Sequence, residues 1–142
     1  MGFLIVVTLC FLSTQCDEDE IVDDFDNLCD AVVVVDKDLY DGIVSDDFQV
    51  TNAEIIGDCL NIQVSASGCS GDTWEYKLVD SGAVAESLPE QRFLKFQLIN
   101  REACLAFVGQ DVSFNIEALQ VEGSNTILLN IEGVDEALTY SY

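Results

Sequence analysis

The segment Phe93-Leu-Lys-Phe-Gln-Leu-Ile99 sends Leu94, Phe96 and Leu98 to one side of an extended chain. Phe93, Lys95, Gln97 and Ile99 go to the other. A two-residue period of this kind describes a half-buried strand and does not suit a helix. Similar short segments fill the sequence from residue 48 onward. Residues 48–56 and 60–66 are separated by Gly57-Asp58, a hairpin signal, and residues 74–79 alternate Trp74, Tyr76 and Leu78 against Glu75 and Lys77. Residues 104–108 and 112–116 read as two strands broken at Gly109-Gln110-Asp111, and residues 126–131 and 137–142 close the chain around Gly133. Only residues 117–121 suit a brief helical turn, and residues 65–72 form the most loop-like stretch. The pattern predicts an all-β fold, a small antiparallel β-sandwich or barrel of seven to eight strands.

At 142 residues, 49% of them apolar or aromatic, the chain suffices for one domain with a core and is too short for two ordinary ones. Its 27 acidic residues face 5 basic ones, for a net charge of −22, and there is no His. Phosphates would be repelled, so nucleic acid is not an expected partner. Without imidazole, Ser-His-Asp and Cys-His catalysis and His-dependent zinc sites are excluded.

Residues 1–15 carry no charged side chain, and residues 3–12 are a ten-residue apolar run interrupted only by Thr8. That length suits the core of a signal peptide and is too short for a permanent membrane helix. Ser13-Thr14-Gln15 leads to Cys16, which Asp17-Glu-Asp-Glu20 follows at once. The order predicts a lipoprotein leader over residues 1–15, lipidation of Cys16, an acidic tether over 16–28 and a single β-domain over 29–142. Acyl chains on Cys16 would anchor the protein to a membrane at roughly 0.8 kcal/mol per buried methylene. The leader lacks Lys and Arg, and Gln15 stands where a small residue is usual. An ordinary secretory signal or a buried N-terminal strand are the alternatives.

Residues 17–47 hold thirteen acidic side chains and one Lys, Lys37. Most of this reads as solvated charge. Within it, Asp36, Asp38, Asp41 and Asp47 are candidate calcium ligands. Their spacing places carboxylates at loop positions 1, 3 and 6 where an EF-hand has 1, 3 and 5, and the preceding Ala31-Val-Val-Val-Val35 favours a strand. No cofactor is therefore expected, with calcium as the alternative.

With Cys10 in the leader and Cys16 lipidated, Cys29, Cys59, Cys69 and Cys104 remain. An even number in an exported chain predicts two disulfides, and spacing alone leaves three connectivities open. The pairing we expect is Cys69–Cys104 with Cys29–Cys59. No Cys-x-x-Cys is present. Ser70 lies in neither a phosphate loop nor a nucleophile elbow. Acidic pairs are too numerous for any one to mark a glycosidase. Trp74, Tyr76 and Tyr140 are the aromatics available to a glycan-binding face, and Arg92, Lys95 and Arg101 hold three of the five cations.

Several segments follow one order: Cys59-Leu-Asn-Ile-Gln-Val64, Ser67-Gly-Cys-Ser-Gly-Asp-Thr-Trp74, Glu86-Ser-Leu-Pro-Glu-Gln91, Glu102-Ala-Cys-Leu-Ala106, Phe114-Asn-Ile-Glu-Ala-Leu119 and Ile127-Leu-Leu-Asn-Ile-Glu-Gly133. Over roughly residues 55–142, and in its lipoprotein start, the chain resembles a group of small uncharacterised Bacteroidota, chiefly flavobacterial, lipoproteins. These combine Ser-Gly-Cys, Glu-Ser-x-Pro-x-Gln and Cys-x-Ala segments. A His often follows the Gly-Cys segment in that group, whereas this chain has Gly71, Asp72 and Thr73 there. The Cys16-Asp-Glu-Asp-Glu stretch is similar to a surface-export signal of such lipoproteins. The resemblance supports the Cys69–Cys104 pairing and implies an outer-membrane lipoprotein, exposed on the cell surface, with a periplasmic or secreted location otherwise. It implies no activity. The expected function is a non-enzymatic accessory or interaction subunit of an envelope assembly with a protein partner. A calcium- or glycan-binding module is the alternative, and a carboxylate hydrolase a distant third.

Overall fold

The structure, a computed structural model, describes residues 28–142. The leader, Cys16 and nearly all of the expected tether lie outside the described residues. What is described is a two-layer β-sandwich with two disulfides.

In chain order the elements are β1 (Ala31–Val32), β2 (Val34–Val35), α1 (Lys37–Gly42), β3 (Gln49–Ile56), β4 (Cys59–Gly68), β5 (Glu75–Asp80), β6 (Glu90–Ile99), β7 (Ala106–Asn115), β8 (Thr126–Ile131) and β9 (Leu138–Ser141). One sheet has the order β1-β7-β4-β3 and the other β2-β5-β6-β8-β9. A 3-10 turn, Glu117–Leu119, falls where the brief helical turn is predicted.

The alternation in the sequence is the alternation of burial. Leu60, Ile62, Val64 and Ala66 of β4 face inward, as do Leu94, Phe96 and Leu98 of β6 and Ile127, Leu129 and Ile131 of β8. Phe114, Leu119 and Tyr140 complete the core between the sheets. Each fully buried apolar side chain of this size contributes roughly 1.5–3 kcal/mol. Phe96 joins the layers, meeting Phe48 edge-on at 5.1 Å and Phe114 at 6.0 Å between ring centroids.

Three features differ from the sequence reading. First, Gly109-Gln110-Asp111 does not break a strand. β7 runs unbroken from Ala106 to Asn115, because all ten residues of β4 lie opposite it in continuous antiparallel register. Second, residues 65–68 are strand, so the loop is confined to 69–74. Gly68 is the last residue of β4, and a Cβ there would stand 2.7 Å from a Glu102 carboxylate oxygen and 2.8 Å from the Trp74 ring. Third, the sheets are mixed. β1–β7, β2–β5 and β6–β8 are parallel ladders. Alternation specifies which face is buried but not the direction of a neighbour, and a chain that crosses between sheets can return parallel. The valine run does this within five residues. Val32 belongs to one sheet, Val34 to the other, and Val33 is buried between them.

Candidate functional site

The end of the sandwich where β4 leaves and β7 begins gathers the most unusual local chemistry. Cys69, just past β4, is bridged to Cys104, just before β7, with Cα atoms 4.8 Å apart. The bridge clamps residues 69–73 against residues 101–105. Gly71 turns the loop with φ +80, a conformation that glycine adopts without strain. Successive N–H groups then point at one spot, forming an anion-binding nest. The Glu102 carboxylate fills it. It accepts from the backbone N–H groups of Cys69, Ser70 (3.1 Å) and Gly71 (3.1 Å) and from the Thr73 hydroxyl (2.9 Å). Burial pushes the Glu102 carboxyl up, but the donors from Gly71, Cys69, Thr73 and Ser70 outweigh it and hold the group at about 2.

This depressed value has a defined sign. The folded carboxyl titrates near 2 against an ordinary 4.5. Its stabilisation is therefore complete above pH 4.5 and is lost as pH falls toward 2. We expect Glu102→Gln to be less stable than the parent at neutral pH, with the gap closing through that window. Denaturant titrations of both proteins at stepped pH check this. A gap independent of pH would contradict the cradle.

Beyond the clamp, Leu105 is 95% exposed and Phe107, on β7, 70% exposed. Residues 103–110 carry no charge in a chain of net charge −22. A cleft beside Leu105 is lined by Asp46, Asp47, Ser67 and Asn100. Asn100 is fixed there, its backbone N–H donating to Asp46 (2.7 Å) and its amide to the Ser67 carbonyl (2.7 Å).

The residues singled out in the sequence are placed as follows. The expected bridges are both present, Cys29–Cys59 joining the domain's start to β4 with Cα atoms 5.7 Å apart. Among the described residues no three His, Cys, Asp or Glu side chains converge for a metal ion. Asp36 caps α1, accepting from the Leu39 N–H at 2.9 Å, and Asp41 pairs with Lys37 one turn away. Asp38 and Asp47 are exposed. Trp74 and Tyr140 are buried and Tyr76 is half-buried against Phe96, so these three do not make an exposed aromatic face. Burial, and then the Asp58 carboxylate that takes its hydrogen bond, push the Tyr140 phenol up to about 12.

The cations do not form one surface. Arg92 is buried, donating to Asp80 at 3.1 Å and to the Leu119 carbonyl at 3.2 Å. Lys95 sits 4.5 Å from the centre of the Tyr40 ring, and Arg101 pairs with Glu75 at 2.5 Å. Sequence reasoning missed Glu102 and the Asp80–Arg92 pair. The glycines of 68–71 signal a turn, but nothing local says which of many carboxylates will fill it. Asp80 falls in phase with Trp74, Tyr76 and Leu78 on the alternating strand, which was the available sign of its burial.

No family model matches the chain, and no curated protein does. Among solved structures, the crystal structure of a protein of unknown function, DUF1344, from Bacteroides vulgatus is similar, with a TM-score of 0.52 and 20% identity. The match covers 79% of this chain and 55% of that one, so this chain spans little more than half its length. At that identity the likeness concerns the fold alone.

Proposed function

We propose that this chain is a non-enzymatic, lipid-anchored envelope protein, an interaction subunit of an outer-membrane or cell-surface assembly. The observation that carries the reading is the rigid, uncharged stretch of residues 103–110 at one end of the sandwich. Leu105 and Phe107 stand exposed on a strand start that the Cys69–Cys104 bridge immobilises. Large apolar side chains held out by a rigid scaffold favour protein contact. The carboxylates with shifted behaviour serve the fold: Glu102 fills a loop and Asp80 meets Arg92. The apolar leader, Cys16 and the acidic tract after it support anchoring. The calcium alternative has two of its four ligands engaged elsewhere, Asp36 in a helix cap and Asp41 with Lys37.

The test is purification of the tagged full chain from membranes in mild detergent, with intact-mass analysis. The expected result is a chain beginning at an acylated Cys16, recovered with a reproducible partner protein. Recovery of an unprocessed chain, or of the protein alone, would overturn the reading.

A further inference from the structure

We propose that the outer edge of β7 is a strand-addition site for an extended segment of another protein, apolar at its centre and basic at its flanks. This rests on the interaction-subunit reading and names the surface and the partner's chemistry.

The argument begins with the ladder. β4 covers one side of β7 along its whole length. On the other side, β1 pairs only with Phe114 and Asn115. Among the described residues no strand covers the edge before that point. The direction of its main-chain groups can be read from the covered end. The Ser113 N–H donates to the Asp30 carboxylate (2.8 Å), and the Asn115 carbonyl accepts from the Val33 N–H (3.0 Å), both on the β1 side. Main-chain groups alternate sides along a strand, and the β4–β7 register has no shift. Phe107, Gly109 and Asp111 therefore aim their N–H and C=O groups outward. An edge of this length, with no Pro, no Lys and Asp111 as its one charge, has few of the usual devices that block pairing. Phe107 and Leu105 beside it supply side-chain contacts for an added strand.

Charge selects the occupant. The central residues 103–110 are neutral, so an apolar strand can lie there without an unpaired ion. Exposed Asp111 stands at one end, and Asp46 and Asp47, beside Leu105, at the other. A strand with Lys or Arg at both ends matches this arrangement. A second copy of the chain would bring another net charge of −22 to the same place, which opposes self-pairing.

The test uses the full-length oxidised chain and a synthetic peptide of alternating valine and threonine flanked by lysines. A second peptide has the same side chains but is N-methylated on one edge. Gly109→Pro removes only an outward N–H, at a site where a Cβ meets nothing closer than 3.6 Å, and edge strands tolerate Pro. Phe107→Lys removes the apolar contact. The expected result is that the first peptide slows hydrogen exchange at Phe107, Gly109 and Asp111. Binding should weaken about tenfold or more in both variants and with the methylated peptide. Equal binding by both peptides, or unchanged binding in Gly109→Pro, overturns strand addition. So does protection of these amides in the protein alone, which would mean that its own N-terminal residues or a second copy cover the edge. Sedimentation separates those two. If Gly109→Pro still recovers the membrane partner, the site assignment fails while the interaction-subunit reading stands.

Discussion

Replacing Arg92 by Met is expected to cost about 3–5 kcal/mol, because Asp80 would be left as an uncompensated buried charge. Asp80 is fully buried and Arg92 nearly so. One oxygen of Asp80 takes hydrogen bonds from Arg92 and from the Gly82 N–H (2.8 Å), while its second oxygen is buried with no partner among the described residues. Burial raises the Asp80 carboxyl above its ordinary range even with Arg92 present, against the lowering effect of Gly82 and Arg92. A raised folded value means that the native state takes up this proton more readily than the unfolded chain does. The deficit of Arg92→Met should therefore be largest at neutral pH and shrink on acidification, as Asp80 takes up a proton. Pairing the change with Asp80→Leu should recover most of the loss, leaving the Leu119 carbonyl and the Gly82 N–H without these partners. Chemical denaturation of the two single variants and the double variant checks the cycle. Single changes costing less than about 1 kcal/mol would contradict it.

Removing the bridges is the second large effect. Cys29–Cys59 and Cys69–Cys104 close loops of 30 and 35 residues. Loops of this size correspond to roughly 3.5–4 kcal/mol each in the chain-entropy treatment, a large share of the roughly 5–15 kcal/mol of a typical domain. A Cys69→Ser, Cys104→Ser chain should retain the sandwich, with a thermal midpoint more than about 10 °C below the parent. It should also lose the acid sensitivity traced to Glu102, since the loop that holds the carboxylate is no longer clamped. A Cys29→Ser, Cys59→Ser chain should be destabilised to a similar degree and keep that sensitivity. Differential scanning calorimetry at pH 7 and pH 3 separates the two. Identical pH behaviour in both variants would disconnect the bridge from the cradle.

Residues such as Leu94, Phe96 and Leu98 announce their burial in the sequence because strand geometry turns alternation directly into two faces. The hairpin at Gly57-Asp58 is equally legible, with Gly57 at φ +60. What stayed hidden are relations between distant positions. Gly109 reads as a breaker, yet Ser65 lies opposite it and β4 holds it extended. The parallel placement of β8 beside β6 depends on β7 having gone to the other sheet between them. Glu102 is one acidic residue among 27, and only the folded loop distinguishes it. The edge of β7, which no described strand covers, is likewise a property of sheet order that no window of sequence displays.

The split valine run has a consequence for timing. Ala31–Val32 requires β7, Val34–Val35 requires β5, and Asp30 meets Ser113 across 83 residues. A chain emerging N-terminus first therefore offers this stretch no partner until most of the sequence has come out. Closure of both layers is a late event, slowed by the entropy of joining far-apart segments. Until then the polypeptide remains threadable, and the last strands to appear are what commit it to a shape.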